Sequence, residues 1–407
     1  MTTKAVKKYL DSYAEPETQN VIDLRGQWCH VVVIPSCNEL NELLDMLRSL
    51  QIAADLRAGP VLAILVVNAR ENATDLVHRT NAQLIETLRD TVTEPRQISQ
   101  TPPIFIGGLG PIDLLVLDRA SRGFHFPAKQ GVGLARKIGC DIALALFAAK
   151  KIQSTWIHCT DADVIVPTDY LIIENEAAGC AAITYPFDHI SAQKDPIAEA
   201  LFLYEISLRY YVLGLDYAGS PFTYHTIGST LALDPQAYAE VRGFPRREAA
   251  EDFYLLNKLA KVGPIYRSSH SPINIRGRLS DRVPFGTGAG TRKIHNMYKH
   301  GEEFFMYDPV VFEVLKDQLH LLLKTCDGND LQIRRTHTKF DAFRTLKLIH
   351  KTRDSSFPSL PWREALQKAP FCAHANLSTS DSATRVKKKL QQLEQQRLNG
   401  QTIGIGY

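Results

Sequence analysis

Two acidic clusters in this chain carry residue types that do chemistry together. Asp161-Ala162-Asp163 follows the run Thr155-Trp156-Ile157-His158-Cys159-Thr160, which places it where a buried strand runs out into solvent. Glu251-Asp252 follows Gly243-Phe244-Pro245 and opens a segment, Phe253 to Leu259, with apolar residues at helical spacing. Two carboxylates two residues apart at a strand end can both turn toward one hard cation, which takes oxygen ligands and keeps bound phosphates among them. A further carboxylate at a helix start, brought back to the same cleft, is placed to take a proton from an incoming hydroxyl. Together they describe group transfer from a nucleotide-activated donor. Each also has a simpler explanation: short acidic triplets arise by chance, and acidic residues at a helix start complement the macrodipole.

The elements that must position these residues follow from hydrophobic patterning. Residues 1–27 read as a polar, partly helical lead. A strand at His30 to Ile34 precedes an amphipathic helix from Leu40 to Leu56, with Leu40, Leu43, Leu44, Leu47 and Leu50 on one stripe. Val61 to Val67 is an apolar run of the kind a parallel strand buried on both faces requires, and Asp75 to Leu88 reads as the next helix. Residues 91–112, rich in Pro and Gly, read as an inserted loop before a strand at Leu114 to Leu117. Gly131 to Ala149 is a small-residue helix, and Thr155 to Cys159 is the strand that carries the acidic triplet. Alternating apolar strands and helices predict a doubly wound, mostly parallel α/β sheet, whose ligands gather at the strands' carboxyl ends. Asn38, Asn68 and Asp161 all fall there.

The order of four elements carries more than any of them singly. Val31-Val32-Val33-Ile34-Pro35-Ser36-Cys37-Asn38-Glu39, then Leu65-Val66-Val67-Asn68, then Asp161-Ala162-Asp163, then Glu251-Asp252 resembles the family 2 glycosyltransferases of the GT-A fold, over roughly residues 28 to 265. The resemblance implies transfer of a sugar from a nucleotide-diphospho-sugar to a hydroxyl acceptor, a glycan, a lipid-linked acceptor or a small molecule. It implies a GT-A-type sheet flanked by helices. The loop Pro35, Ser36, Asn38 and Glu39 would cup the nucleoside, with Glu39 a ribose or base contact. Asn68 stands where relatives commonly begin Asp-Asp-Gly-Ser, so the base is open. A neutral amide can still donate and accept hydrogen bonds at a base edge. Lys129-Gln130-Gly131-Val132-Gly133-Leu134-Ala135-Arg136 matches a Gly-rich turn and helix, with Arg136, and less directly Lys129, facing the acidic cleft. Asp161 and Asp163 would hold Mn2+ or Mg2+, Asp252 would be the general base of an inverting displacement, and Glu251 would position acceptor or base.

From Arg276 to His295 the chain packs five basic residues and four glycines into twenty positions, which suits a mobile loop folding over phosphates, with Arg282 among its cations. GT-A enzymes often take a further metal ligand from such a region. His295 is the candidate here, ahead of His300 and His270. Pro196 to Leu215 reads as an aromatic helix, with Tyr204, Tyr210, Tyr211 and Tyr217 serving either as core or as stacking faces. Beyond residue 300, Val310 to Leu323 and Phe340 to His350 read as helices, Pro358 to Pro361 as a connector, and Val386 to Arg397 as a polar, basic surface helix. The expected division is a lead over 1–27, a transferase domain over 28–300 split into 28–163 and 164–300, and a helical C-terminal extension over 301–407.

Composition sets the remaining bounds. A chain of 407 residues with 47 Lys and Arg against 44 Asp and Glu gives no reason to expect nucleic-acid binding. Seven scattered cysteines without a Cys-x-x-Cys suit a reducing cytoplasm. No apolar run reads as a signal peptide or a membrane span, which argues against a processive polymer exporter and leaves peripheral membrane contact open. Three alternatives stay in play: a retaining GT-A transferase acting on a small acceptor, a nucleotidyltransferase, and a non-catalytic nucleotide-sugar-binding protein. The Pro35–Glu39 loop lacks the glycine-rich, basic character of nucleotidyltransferases, and intact Asp161, Asp163 and Asp252 speak against a decayed site.

Overall fold

The computed structural model describes residues 3–55, 59–192, 195–277, 286–325 and 359–398. They form two compact units, Met1–Ile190 with Thr226–Arg276, and Ser191–His225 with Gly277–Tyr407. Of the stretch expected as one domain over 28–300, the described residues 195–225 and 286–300 fall in the second unit.

The first unit opens with α1 (Lys4–Ser12) and a 3-10 turn (Pro16–Asn20). It continues through β1 (His30–Ser36), α2 (Leu40–Ala53), β2 (Val61–Asn68), α3 (Asp75–Thr91), β3 (Thr93–Gln100), β4 (Pro103–Leu109), β5 (Ile112–Arg119) and α4 (Val132–Ala148). Then come β6 (Ile157–Cys159), β7 (Val164–Ile165), β8 (Ala182–Thr184) and β9 (Phe187–Ile190). After α5 (Ala198–Tyr217) of the second unit, the first resumes with β10 (Leu231–Leu233), α6 (Pro235–Glu240), α7 (Glu251–Leu259), β11 (Ile265–Arg267) and β12 (Ile273–Arg276).

Nine strands make one sheet in the order β11-β8-β10-β6-β1-β2-β5-β4-β3, all but β4 and β10 running in one direction. The protein is therefore of mixed α/β class with a large, mostly parallel central sheet flanked by helices. β2 is buried along its whole length, as its continuous apolar run requires. The chain lays β1, β2 and β5 outward on one side, then returns to place β6 on the other side of β1. The winding thus reverses between β1 and β6, and the crevice outside the carboxyl ends at such a reversal is where open α/β sheets take ligands.

Residues 91–112 are not a loop. They form the β3–β4 hairpin on the sheet's outer edge. Pro95, Pro102 and Pro103 gave the turn signal, but β3 is an exposed edge whose pairing with β4 shifts register twice, and an edge strand tolerates proline. A Cβ at Gly107 would sit 2.9 Å from the Thr93 carbonyl, so this glycine serves the close approach of the two strands.

The second unit packs α5 against α8 (Thr287–Lys299), the strand pair β13 (Phe305–Tyr307) and β14 (Ser359–Pro361), α9 (Val310–Thr325), α10 (Trp362–Lys368), a 3-10 turn (Pro370–Ala375) and α11 (Ala383–Leu398). Three expectations change here. Within the piece expected as a connector, Ser359–Pro361 forms a strand paired with β13. The basic C-terminal helix is no surface helix: Val386, Leu390 and Leu393 are buried, and Glu394 meets the buried Arg209 and His225. Residues 287–293 of the glycine-rich basic stretch are helical, and a Cβ at Gly290 would run into the Tyr204 ring, so that glycine serves helix packing. Tyr210 is core, its hydroxyl donating to the Tyr307 carbonyl at 2.7 Å. Residues 278–285, with Arg282, and 326–358, with the helix expected over Phe340 to His350, lie outside the described residues. Among the described residues no helix is long and apolar enough to cross a membrane.

His158, at the centre of β6, is fully buried, its Nδ1 3.2 Å from the Tyr185 hydroxyl and its ring beside His30, Tyr170 and Tyr185. Burial, aided by neighbouring His30 and His270, holds its imidazole well below the ordinary 6.5. The folded protein keeps this ring neutral where the unfolded chain takes up a proton, so stability falls as pH drops below about 6.5, by up to about 1.4 kcal/mol per pH unit. Urea denaturation at about pH 7.5 and about pH 5.5 should show the loss, and His158→Gln, which keeps a polar partner for Tyr185 but does not titrate, should make the dependence shallower. An unchanged slope in the variant contradicts this assignment.

Candidate functional site

The acidic triplet is pinned at both ends by backbone bonds. Thr160 donates its amide to the Val33 carbonyl of β1 at 3.1 Å, and the Asp163 carbonyl accepts from the Arg276 amide of β12 at 3.2 Å. Ala162, between the two acids, is fully buried, while Asp161 and Asp163 are partly exposed. The pair therefore sits on a short, fixed turn at the switch of winding.

Arg136 of α4 reaches this turn from inside. Its guanidinium is buried, donating to Asp161 Oδ1 at 2.5 Å through one terminal nitrogen and to Glu251 Oε1 through the other. Burial opposes its charge, and Asp161 and then Asp252 outweigh that opposition. Glycines make the reach possible. A Cβ at Gly133 would come within 2.6 Å of the Pro245 carbonyl and 2.7 Å of the Arg247 carbonyl, so only glycine lets the first turn of α4 lie on the segment that leads into α7. One at Gly139 would strike Val33 at 2.3 Å, and one at Gly228 would lie 2.4 Å from the guanidinium carbon itself. Strand β6, α4, α7 and the loop before β10 thus converge on one arginine.

Helix α7 starts in a constrained way. Ala250, before it, takes φ +59°, a left-handed conformation uncommon for a residue with a side chain, and Glu251 and Asp252 follow in the first turn. Glu251 is buried and spent on Arg136. Asp252 is half-buried, and its carboxylate accepts from the amides of Phe253, at 2.7 Å, and Gly228. Burial pushes its carboxyl above the ordinary 3.8, with Arg136 and the two amides pulling back and Asp161 adding to the rise.

The β1 side of the crevice is an amide relay. Pro35 and Ser36 end β1, and the buried Ser36 hydroxyl has no hydrogen-bond partner among the described residues. Glu39 is buried and accepts from the Cys37 amide through Oε2 at 3.2 Å. Asn68 donates its amide nitrogen to the Ser36 carbonyl at 2.9 Å and the Val66 carbonyl at 3.2 Å. Its N–H groups are therefore used inside the chain, leaving it at most an acceptor toward a base. Lys129 is exposed, two residues ahead of Gly131, against which the Arg70 guanidinium packs.

The structure brings Asp161, Arg136, Glu251 and Asp252 together in the first unit, with Asp163 on the same turn. It gives Arg136, expected to face the acidic cleft, to two carboxylates as a brace. His295 belongs to α8 of the second unit, and His300, just past the end of that helix, has its Nδ1 2.8 Å from the Asn296 carbonyl. His270 is held by Glu174 Oε2 at 3.1 Å and the Ile172 carbonyl at 2.6 Å. Among the described residues no group of three or more His, Cys, Asp and Glu gathers as a metal site. Two carboxylates on one turn still suit a hard cation whose remaining ligands are phosphate and water oxygens.

Sequence reasoning missed the lead's part. Tyr9 of α1 donates to Asp141 Oδ1 at 2.6 Å, Lys137 to Asp141 Oδ2 at 2.9 Å, and Tyr238 to Asp141 Oδ1 at 2.9 Å. The lead is thereby locked to α4, the helix that carries Arg136. The only signal was Lys137 and Asp141 at i, i+4 inside an otherwise apolar helix.

Compared with models of protein families and with curated proteins, the chain matches none.

Removing Arg136 leaves Glu251 buried without its cation. Breaking one side of a buried pair costs about 3–5 kcal/mol. Arg136→Met should lower the urea midpoint accordingly, and the added change Glu251→Gln should recover part of the loss. A single variant as stable as the parent contradicts the brace.

Proposed function

We propose that the first unit is a GT-A-type glycosyltransferase that moves a sugar from a nucleotide-diphospho-sugar to a hydroxyl acceptor with inversion, aided by Mn2+ or Mg2+. One observation carries the reading: Asp161 and Glu251 meet on Arg136 at the reversal of winding between β1 and β6, with Asp163 on the turn of the first and Asp252 beside the second. Chance acidic triplets have no reason to share a buried arginine with a helix start far along the chain.

The loop Pro35–Glu39 and the β2 end receive the nucleoside, and the turn of Asp161 and Asp163 faces the diphosphate. A cation bound by these two carboxylates supplies charge neutralisation for the departing diphosphate. Arg136 holds Asp161 in one orientation and keeps the start of α7 beside it. Asp252 takes the proton from the acceptor hydroxyl as its oxygen bonds to the anomeric carbon, while the bond from that carbon to the diphosphate breaks and its electron pair leaves with the nucleotide. A carboxyl raised by burial is the stronger base for this step, and the amides of Gly228 and Phe253 aim it. Six cysteines among the described residues are free thiols, which suits the cytoplasm.

Three measurements test the reading. Thermal-shift titration with nucleotide sugars should show stabilisation that needs Mn2+, and Asp163→Ala should abolish that requirement along with tight binding. Asp252→Asn keeps the shape but cannot take the proton, so turnover should fall about 10²- to 10⁴-fold with donor affinity nearly unchanged. The product should carry the anomeric configuration opposite to the donor's. A product of retained configuration, or an Asp252→Asn enzyme of full activity, removes Asp252 from the role.

A further inference from the structure

Helix α3 buries three residues on one stripe, Asn81, Leu84 and Leu88, and Asn81 is fully buried with them. An amide in an apolar stripe must be satisfied by hydrogen bonds or it costs the fold. Asn81 meets this with two backbone groups of the crevice. Its Oδ1 accepts from the Asn38 amide at 2.8 Å, and its Nδ2 donates to the Asn68 carbonyl at 2.9 Å. Asn68 in turn donates to the Ser36 carbonyl at 2.9 Å. The relay runs from the end of β2 through α3 to both sides of Cys37.

Asn38 sits at φ +61°, in the left-handed region that few side-chain-bearing residues adopt and asparagine tolerates best. The bond from Asn81 is on the amide of that residue, and the Glu39 carboxylate restrains the neighbouring amide of Cys37. The loop that leaves β1 is therefore shaped before any ligand arrives, and the residue that shapes it comes from a helix outside the motif.

We infer that Asn81 is a positioning residue for the nucleoside half of the donor: it presets the Ser36–Glu39 loop, without touching the ligand, so that a nucleoside diphosphate binds without first ordering it. This rests on the proposed donor class. No other side chain with both a donor and an acceptor in one plane at this length fits the two groups it serves. Aspartate is the informative replacement. As a carboxylate it still accepts from Asn38 but turns a lone pair toward the Asn68 carbonyl, and when protonated it donates there as the amide does.

The probes are UDP, GDP, ADP and dTDP, each with Mn2+, titrated calorimetrically into the intact protein. If at least one binds the parent, Asn81→Asp should bind it about tenfold or more weakly at neutral pH and should recover as pH is lowered, a trend absent from the parent's own profile. Asn81→Ser, which cannot span both groups and carries no charge, should bind weakly at every pH, with turnover of bound donor little changed. The serine variant keeps the test open should the aspartate variant fail to fold. Parent-like affinity in either folded variant overturns the positioning role and leaves the donor class standing. A parent that binds none of the four overturns the donor class and this inference with it.

Discussion

A buried guanidinium is the constraint on which the rest of the site depends. Arg136 can sit where it does only because Gly133 and Gly228 leave room for backbone and guanidinium, and because Asp161 and Glu251 approach from two other elements. Apolar substitutes for a whole buried ion cluster are often neutral for stability, while loss of one partner is severe. What the cluster supplies is therefore position. It ties the end of β6 to the start of α7, elements far apart in sequence, and leaves Asp252 beside them with a carboxyl raised by burial.

The second tier of support is also polar and also buried. Asp141, one turn and a half beyond Arg136 on the same helix, gathers Tyr9, Lys137, Tyr238 and the Glu15 amide. Glu15 is gripped in turn by Arg246, bidentate at 2.7 and 2.9 Å, in the segment that leads to α7. The lead thus closes a ring from α1 through α4 to the approach to Glu251. Buried networks of this kind are costly when half satisfied and restrictive when complete, and here Asp141 has a partner for both oxygens.

Much of the fold was legible where apolar pattern decides it. The strands at 30–36 and 61–68 and the helices at 40–53, 75–91 and 132–148 follow from continuous apolar runs and helical stripes, and the acidic turn was found from a strand running out into charge. Failures share one cause: composition was read locally where a distant partner decides. The 93–109 hairpin hides behind prolines because an edge strand accepts them. Glycines near 290 look like loop residues until Tyr204 is seen against them, and the charges of α11 look solvated until Arg209 and His225 meet Glu394. Asn81 had a legible signal, since it occupies the apolar stripe of its helix, but its partners are two backbone groups that no spacing reveals. The position of Asn68 suggests a base contact by resemblance, but the fold uses its N–H groups on the Ser36 carbonyl of the neighbouring strand and the Val66 carbonyl of its own.

The central claim is that the turn of Asp161 and Asp163, at the reversal of winding, is where a metal-bound diphosphate sits. Crystals grown with Mn2+ and a nucleoside diphosphate, measured at the manganese absorption edge, test it directly. The account predicts an anomalous peak at ligand distance from the Asp161 and Asp163 carboxylates and from the diphosphate oxygens, with the nucleoside against Ser36–Glu39. A nucleotide bound elsewhere, or manganese held away from both aspartates, contradicts it.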